Sequence, residues 1–349
     1  MFRRPIIALT ICILLAVSLS AGAQQPSFLE LTLLTTNDLH ANLVPFNQPE
    51  TLAGKIPQTK NVGGAARKAT YINRVRSESE WPVLLLDSGD TTFGWTRLAR
   101  AFHGAADVEV LNAMGYVAME PGNHDFQWES ADTLRNLNAS KFPWICANLI
   151  DEKTGKLFLT PYTIREYCGV RIAFFGLITS MVNDPPYKAA RELGLHQVDG
   201  IETAKKLVPE LRQNADIVIC LSHLGVYQDQ KLAKAVPGID IILGGHSHTR
   251  LPHPTMVPVG TPTATSLAAV PIVQAFLWGS EMGKTDVIFY RDPTTGAYSL
   301  MSCKGELISV DSSLPDDPAI SQLIQSYEAK MPKPATAPAA APAPANPGR

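Results

Sequence analysis

The chain has 349 residues, 45% of them hydrophobic and 18% charged, which is enough apolar content to bury a full globular core and too much for a disordered chain. Its formal net charge is −2, and no cationic stripe stands out, so a face built to hold nucleic acid is excluded. One α/β domain of 250 to 300 residues accommodates most of this length.

Arg3 and Arg4 open the chain, an apolar run follows from Ile6 to Leu19, and Ala21-Gly22-Ala23 offers a small-residue cleavage site. This pattern predicts a signal peptide over residues 1–23, cleaved after Ala23, and a periplasmic or secreted protein. The run is short for a stable membrane span, and Ile11 before Cys12 does not fit a lipoprotein attachment site. An uncleaved N-terminal anchor is the alternative. Cleavage removes two arginines, taking Lys and Arg from 30 to 28 against 32 acids, a net charge of −4. Four cysteines follow: Cys146 and Cys220 lie in apolar runs and read as buried thiols, whereas Cys168 and Cys303 sit beside turns or strand edges and are the expected pair if a disulfide forms.

Short, β-branched apolar runs predict buried strands at Leu31–Thr36, Val83–Leu86, Arg171–Ile178, Ile217–Leu221, Ile239–Leu243, Pro271–Phe276 and Asp286–Tyr290. Helical patterns fall between them at Gly64–Arg76, Ala105–Met114, Ser130–Asn136, Ile201–Gln213 and Asp229–Ala235. The alternation predicts an α/β fold with helices covering the sheets. The strand-rich stretch from Pro271 to Val310 is expected to complete a second sheet. A helical extension is predicted over residues 313–331. From Pro332 to Arg349 six prolines lie in 18 residues, a composition that predicts an extended, disordered tail.

The polar residues that follow the strands carry the chemistry. Asp38 and His40 come directly after Leu31–Thr36, Asp90 after Val83–Leu86, Asn123 and His124 after Tyr116–Met119, His223 after Ile217–Leu221, and His246 and His248 after Ile239–Leu243. In an α/β fold the carboxyl ends of the strands gather at one cleft, so these residue types can converge there. Each piece alone has a bland reading, since an Asp after a strand often caps a turn. Five such pieces in order, NDLH, SGD, GNHD, SHLG and GGHSH, leave little room for it. His103, His196 and His253 lie outside the set and read as ordinary loop histidines.

The ordered motifs resemble the calcineurin-like metallophosphoesterases, and among them the bacterial 5′-nucleotidase and 2′,3′-cyclic phosphodiesterase family. The resemblance spans Leu29 to Val310 and includes Gly63-Gly64-Ala65-Ala66-Arg67, similar to that family's glycine-led first helix. It implies a four-layer α-β-β-α sandwich over residues 28–312, with two divalent metal ions between the strand ends. One ion would be held by Asp38, His40 and His248, the other by Asn123, His223 and His246, with Asp90 bridging. Oxygen and imidazole ligands suit Zn, Mn or Fe without choosing among them. Two cations about 3.5–4 Å apart make hydroxide available near neutral pH for in-line attack on phosphorus. The substrate implied is a small-molecule phosphoester, nucleotides included, and no other cofactor is expected. His124 would protonate the leaving group, the alternative being that it only orients Asn123.

Two departures qualify the likeness. The nucleotidase family usually reads Gly-Asn-His-Glu-Phe-Asp, whose last Asp pairs the catalytic histidine. This chain has Gln127 at that place, which leaves Asp125 as the nearby carboxylate and a catalytic candidate beside His124. Those enzymes also carry a further nucleoside-binding domain where this chain runs into its Pro/Ala tail, so nucleotide specificity is not carried over. Two other readings stay open, a metal-dependent phosphate or nucleotide binder without turnover, and a hydrolase of a sulfur-containing substrate. Complete ligand sets favour catalysis over binding alone.

Overall fold

The computed structural model describes residues 25–331 except Ala53. The signal peptide and the Pro/Ala tail predicted from the sequence lie outside the described residues. The elements begin with β1 (Phe28–Thr36), α1 (Ala65–Glu78), β2 (Val83–Asp87), α2 (Arg97–Phe102), α3 (Ala105–Met114), β3 (Ala118–Met119) and α4 (Ser130–Ala139). The middle of the chain forms β4 (Leu149–Asp151), β5 (Lys156–Leu157), β6 (Tyr162–Tyr167), β7 (Val170–Ile178), α5 (Lys188–Leu193), β8 (Leu195–Gln197) and α6 (Gly200–Asn214). The remainder comprises β9 (Ile217–His223), α7 (Val226–Ala235), β10 (Ile241–Gly244), β11 (Thr255–Pro258), β12 (Ala269–Val273), β13 (Glu281–Arg291), β14 (Tyr298–Ser309) and α8 (Pro318–Glu328).

Two sheets carry the architecture. The first has the order β14-β13-β1-β2-β3 and the second β11-β12-β10-β9-β7-β6, with β4, β5 and β8 forming a small third sheet. In the first sheet β1, β2 and β3 run parallel with β13 and β14 antiparallel on one side, and in the second β7, β9, β10 and β12 run parallel between antiparallel edge strands β6 and β11. Strand alternation decides which side chain faces which layer. Leu29, Leu31 and Leu33 of β1 meet Ile217, Ile219 and Leu221 of β9 between the sheets. Leu34 and Leu85 point the other way, onto Ile72 of α1 and Ile320 of α8. On the opposite side Val218 and Cys220 pack on Val208 and Leu211 of α6 and Leu232 of α7. The result is the expected four-layer α-β-β-α sandwich.

The strand-rich stretch after Pro271 does not stay in one sheet, contrary to expectation. β12 joins the second sheet, but β13 pairs antiparallel with β1, and β14 pairs with β13 in the first. The crossing segment is tied down by Asn37, whose Oδ1 accepts from Ala275 N (2.7 Å) while its Nδ2 donates to Phe276 O (2.8 Å). The cysteine expectation also needs correction, for all four described cysteines are free. Cys168 lies in the turn between β6 and β7 at one edge of the second sheet, whereas Cys303 lies on β14, the edge strand of the first. Local turn character cannot report that separation.

One core residue is unusual. Lys68 of α1 is buried, and its Nζ donates to Gly279 O at 3.4 Å. Burial lowers its pKa from 10.5 to about 8, against the opposing pull of Asp87. Below pH 8 both folded and unfolded chains hold this proton, so the folded state bears the full cost of burying the charge. Between about 8 and 10.5 only the unfolded chain holds it, so stability rises with pH there. Lys68→Met is therefore expected to raise the urea midpoint at pH 7, with an advantage that shrinks as pH climbs through that window. Urea titrations at pH 7, 9 and 10.5 would measure it.

Candidate functional site

The sandwich brings five strand ends to one edge. Asp38 and His40 follow β1, Asp90 follows β2, Asn123 and His124 follow β3, His223 ends β9, and His246 with His248 follow β10. Asp38, His40, Asp90, His246 and His248 all adopt left-handed backbone, with φ of 50°, 45°, 55°, 71° and 51°. Non-glycine residues rarely do so, and such strain collects where surrounding structure imposes it for a functional end.

Backbone hydrogen bonds impose it here. Asp38 N donates to Gly89 O (2.8 Å), His40 N to Asp90 O (2.9 Å) and Ala41 N to Thr91 O (2.9 Å), which zips the loop after β1 onto the loop after β2. Glycine is required where these loops touch. A Cβ on Gly122 would lie 2.2 Å from Asp90 Oδ1, and one on Gly89 would lie 2.4 Å from Gly122 N.

Two groups of ligand-type atoms result, Asp38 with His40 and His248, and Asp90 with His223 and His246. In the first, His248 Nε2 lies 3.2 Å from Asp38 Oδ1 and 3.2 Å from His40 Nε2. In the second, His223 Nε2 lies 3.1 Å from Asp90 Oδ2. Asp90 Oδ2 also lies 3.9 Å from His40 Nε2, so this carboxylate stands between the groups. Asn123 is buried in the loop after β3, and its Nδ2 donates to Tyr187 Oη (2.6 Å), which leaves Oδ1 without a partner among the described residues.

These residues fit metal ions. Asp38 Oδ1, Asn123 Oδ1 and His223 Nε2 are buried without hydrogen-bond partners among the described residues, and an unpaired buried polar atom costs about 1–3 kcal/mol unless something satisfies it. His223 Nδ1 donates to Ser88 O (2.5 Å), which turns the lone pair of Nε2 toward Asp90. Burial opposes charge on His223, yet Asp90 overcomes it and drives the imidazole pKa up to about 10. Asp90, despite its own burial, is held well below the usual carboxylate range by His223 and His40. The spot calls for positive charge, which a divalent cation would supply in place of a proton. His246, lowered to about 4 by burial and by His223, keeps the neutral imidazole that coordination needs. Burial likewise lowers His40, while Asp38 raises His248 against the pull of burial.

His124 stands at the rim. Its ring lies 5.0 Å from that of His40 and stacks on Phe93 at 5.7 Å. Its backbone N donates to Asp90 Oδ1 (2.7 Å), and its Nδ1 donates to Gln127 Oε1 at 2.5 Å. Asp125 does not meet this ring, contrary to the expectation of a shared role. It is buried, Oδ1 accepts from Thr91 N, Thr92 N and Thr92 Oγ1, and Oδ2 accepts from Asp90 N and Gly122 N. The carboxylate knits the loop after β2 to the loop after β3.

Sequence reasoning missed the supporting residues. Asn37 donates to Asp38 Oδ2 (2.7 Å) and was signalled only by its place in the NDLH run. Gln274 donates to Gly245 O (2.9 Å) and accepts from Thr249 N, bracing the loop that carries His246 and His248. Tyr187 comes from a segment with no motif at all. His103, His196 and His253 stay outside the site: His103 pairs with Asp132, His196 lies by Glu152 and His253 faces Gly305 O.

A sequence profile described as Calcineurin-like phosphoesterase matches residues 31–250. The chain is 32% identical over 299 residues to a snake venom 5′-nucleotidase of Gloydius brevicauda, covering 78% of this chain and 47% of that protein. It is 31% identical over 324 residues to a 2′,3′-cyclic-nucleotide 2′-phosphodiesterase/3′-nucleotidase of Salmonella typhimurium, covering 84% and 48%. It thus spans about half the length of these curated relatives. Among solved structures, a 5′-nucleotidase precursor from Thermus thermophilus superposes with a TM-score of 0.71 at 31% identity, covering 86% of this chain and 58% of that one. Fold, ordered motifs and paired ligand groups agree with these likenesses, and the chain belongs to the calcineurin-like phosphoesterase family.

Proposed function

We propose that this protein is an exported, two-metal hydrolase of small-molecule phosphate esters, with nucleotides and cyclic nucleotides as the first candidates. The observation that carries the reading is the pair of Asp/His groups, Asp38 with His40 and His248 and Asp90 with His223 and His246, together with Asp38 Oδ1, Asn123 Oδ1 and His223 Nε2 buried and unpartnered among the described residues. Asp38, His40 and His248 would hold one ion, Asn123, His223 and His246 would hold the other, and Asp90 would serve both. Bound cations supply charge that neutralises phosphoryl oxygens and make hydroxide available near neutral pH.

The chain's own residues do the rest. Tyr187 fixes the amide of Asn123 so that oxygen, not nitrogen, faces the ions. Gln127 holds His124 through Nδ1, which leaves Nε2 to pass a proton to the departing oxygen. Export rests on the N-terminal pattern of Arg3, Arg4 and the run from Ile6 to Leu19. Among the described residues no helix is long and apolar enough to cross a membrane.

The test is a panel of nucleotides, cyclic nucleotides, sugar phosphates and bis-p-nitrophenyl phosphate, assayed with Mn, Zn and Mg, together with elemental analysis. Turnover with about two metal equivalents per chain is expected, and Asp90→Ala should lose both turnover and at least one equivalent. Tight phosphate binding without turnover on any ester would replace the hydrolase reading. One equivalent that Asp90→Ala leaves unchanged would end the two-metal assignment.

A further inference from the structure

Most aromatic residues near the site are covered, but Trp95 is not. Its side chain is 58% exposed, and its ring lies 6.0 Å from that of His40 and 6.1 Å from that of His124. The indoles of Trp128 and Trp144 donate to Thr92 O and Ser140 Oγ, whereas the structure gives the Trp95 indole no such bond among the described residues. Single exposed aromatic rings are ordinary on a protein surface, so it is the place of Trp95 beside two site imidazoles that sets it apart.

The loop beneath Trp95 is fixed on both sides. Asp125 accepts from Thr91 N and Thr92 N. A Cβ on Gly94 would sit 1.9 Å from His40 O, so the backbone there lies directly on the loop after β1. Thr96 donates to Ala41 O (3.1 Å) and caps α2 by accepting from Ala99 N (3.1 Å). Phe93 supports the indole edge-on, with centroids 5.5 Å apart and planes at 83°, and itself packs on Trp128 at 4.5 Å. The indole is therefore held beside the site by backbone and by a neighbouring ring, with more than half of the residue open to solvent.

We propose that Trp95 is a stacking platform for the leaving group, which makes esters whose departing alcohol carries a planar ring the preferred substrates. The inference rests on the reading of His124 as proton donor. A leaving oxygen within about 2.6–3.2 Å of that imidazole places the group attached to it beside the Trp95 indole, at the about 4.5–7 Å centroid spacing of stacked rings. Stacking accepts any flat ring, so it raises affinity without discriminating among bases. The ring could be a nucleobase or an aryl group close to the ester oxygen, and the two differ in reach.

Two substrate pairs separate these sources while keeping the leaving oxygen an alkoxide in both members. AMP against ribose 5-phosphate reports a base, and benzyl phosphate against cyclohexylmethyl phosphate reports a ring next to the ester. In Trp95→Ala the kcat/KM ratio within at least one pair is expected to fall about tenfold, the scale of stacking on an aromatic side chain, mainly through KM. Trp95→Phe should restore most of that ratio and Trp95→Leu should not, which separates ring stacking from bulk and from folding. Trp81→Ala, an exposed tryptophan at the opposite end of β2, should leave both ratios in place. Unchanged ratios in Trp95→Ala and Trp95→Leu, with wild-type turnover intact, would overturn the platform and leave the phosphoesterase reading standing. Wild-type turnover confined to esters outside these four would overturn the platform alone, and no turnover on these four or on any ester of the wider panel would overturn both.

Discussion

His124→Ala is expected to cut kcat/KM on alkyl phosphates by about a hundredfold or more, the usual scale of general acid catalysis, and to cost p-nitrophenyl phosphate far less. The difference arises at the leaving oxygen. An alkoxide needs a proton as the bond to phosphorus breaks, whereas p-nitrophenolate leaves well without one. The geometry adds a second arm. Gln127 Oε1 accepts from His124 Nδ1 at 2.5 Å, so the ring is oriented by a neutral amide that adds no charge. A carboxylate at the same place would stabilise the imidazolium, and Gln127→Asp is expected to speed alkyl ester hydrolysis. Steady-state kinetics on both ester classes, with metal content measured for each variant, would test this. Equal losses on the two classes would remove the proton-donor role and leave His124 as a positioning residue.

Asp125→Ala should destabilise the fold by about 3–5 kcal/mol, because buried donors lose their common acceptor. Five hydrogen bonds end on this carboxylate, from Asp90 N, Thr91 N, Thr92 N, Thr92 Oγ1 and Gly122 N. Burial and then the neighbouring Asp90 push its pKa up, and the bonds from Thr92 and Gly122 oppose that shift. Asp125→Asn should be nearly as damaging despite its matching shape, since an amide NH₂ would face N–H donors. A lower urea midpoint and weaker metal retention are the expected readouts for both variants. Loss of kcat in Asp125→Asn at full metal content and unchanged urea midpoint would instead return Asp125 to a catalytic role.

Much of the site is legible in the chain because the ligand types follow the strands without delay. A strand that ends in Thr36 and is followed at once by Asp38 and His40 can deliver those side chains only at its own carboxyl end. Near-continuous apolar runs marked the buried strands as well, but the folded sheets decide that Ile217, Ile219 and Leu221 face one layer and Val218 and Cys220 the other. Other features depend on where distant segments meet. Nothing near Asp286 states that β13 lies antiparallel against β1 rather than joining β12, because edge pairing is chosen by how the sheets twist and stack. The disulfide expectation failed for the same reason, with Cys168 and Cys303 on separate sheets. Asp125 shows the limit most clearly. As a carboxylate next to His124 it invites a catalytic role, and only the folded loops reveal that its oxygens are already taken by backbone donors 33 to 35 residues away and by Gly122. The sequence by itself therefore placed the ligand-type residues at the strand ends and alternated strands with helices, which follow from local order, while the four layers came with the resemblance that the ordered motifs carry. Tertiary structure decided which polar groups are spent on holding loops together and which remain open, because hydrogen-bond satisfaction is a property of the folded surroundings and not of the residue type.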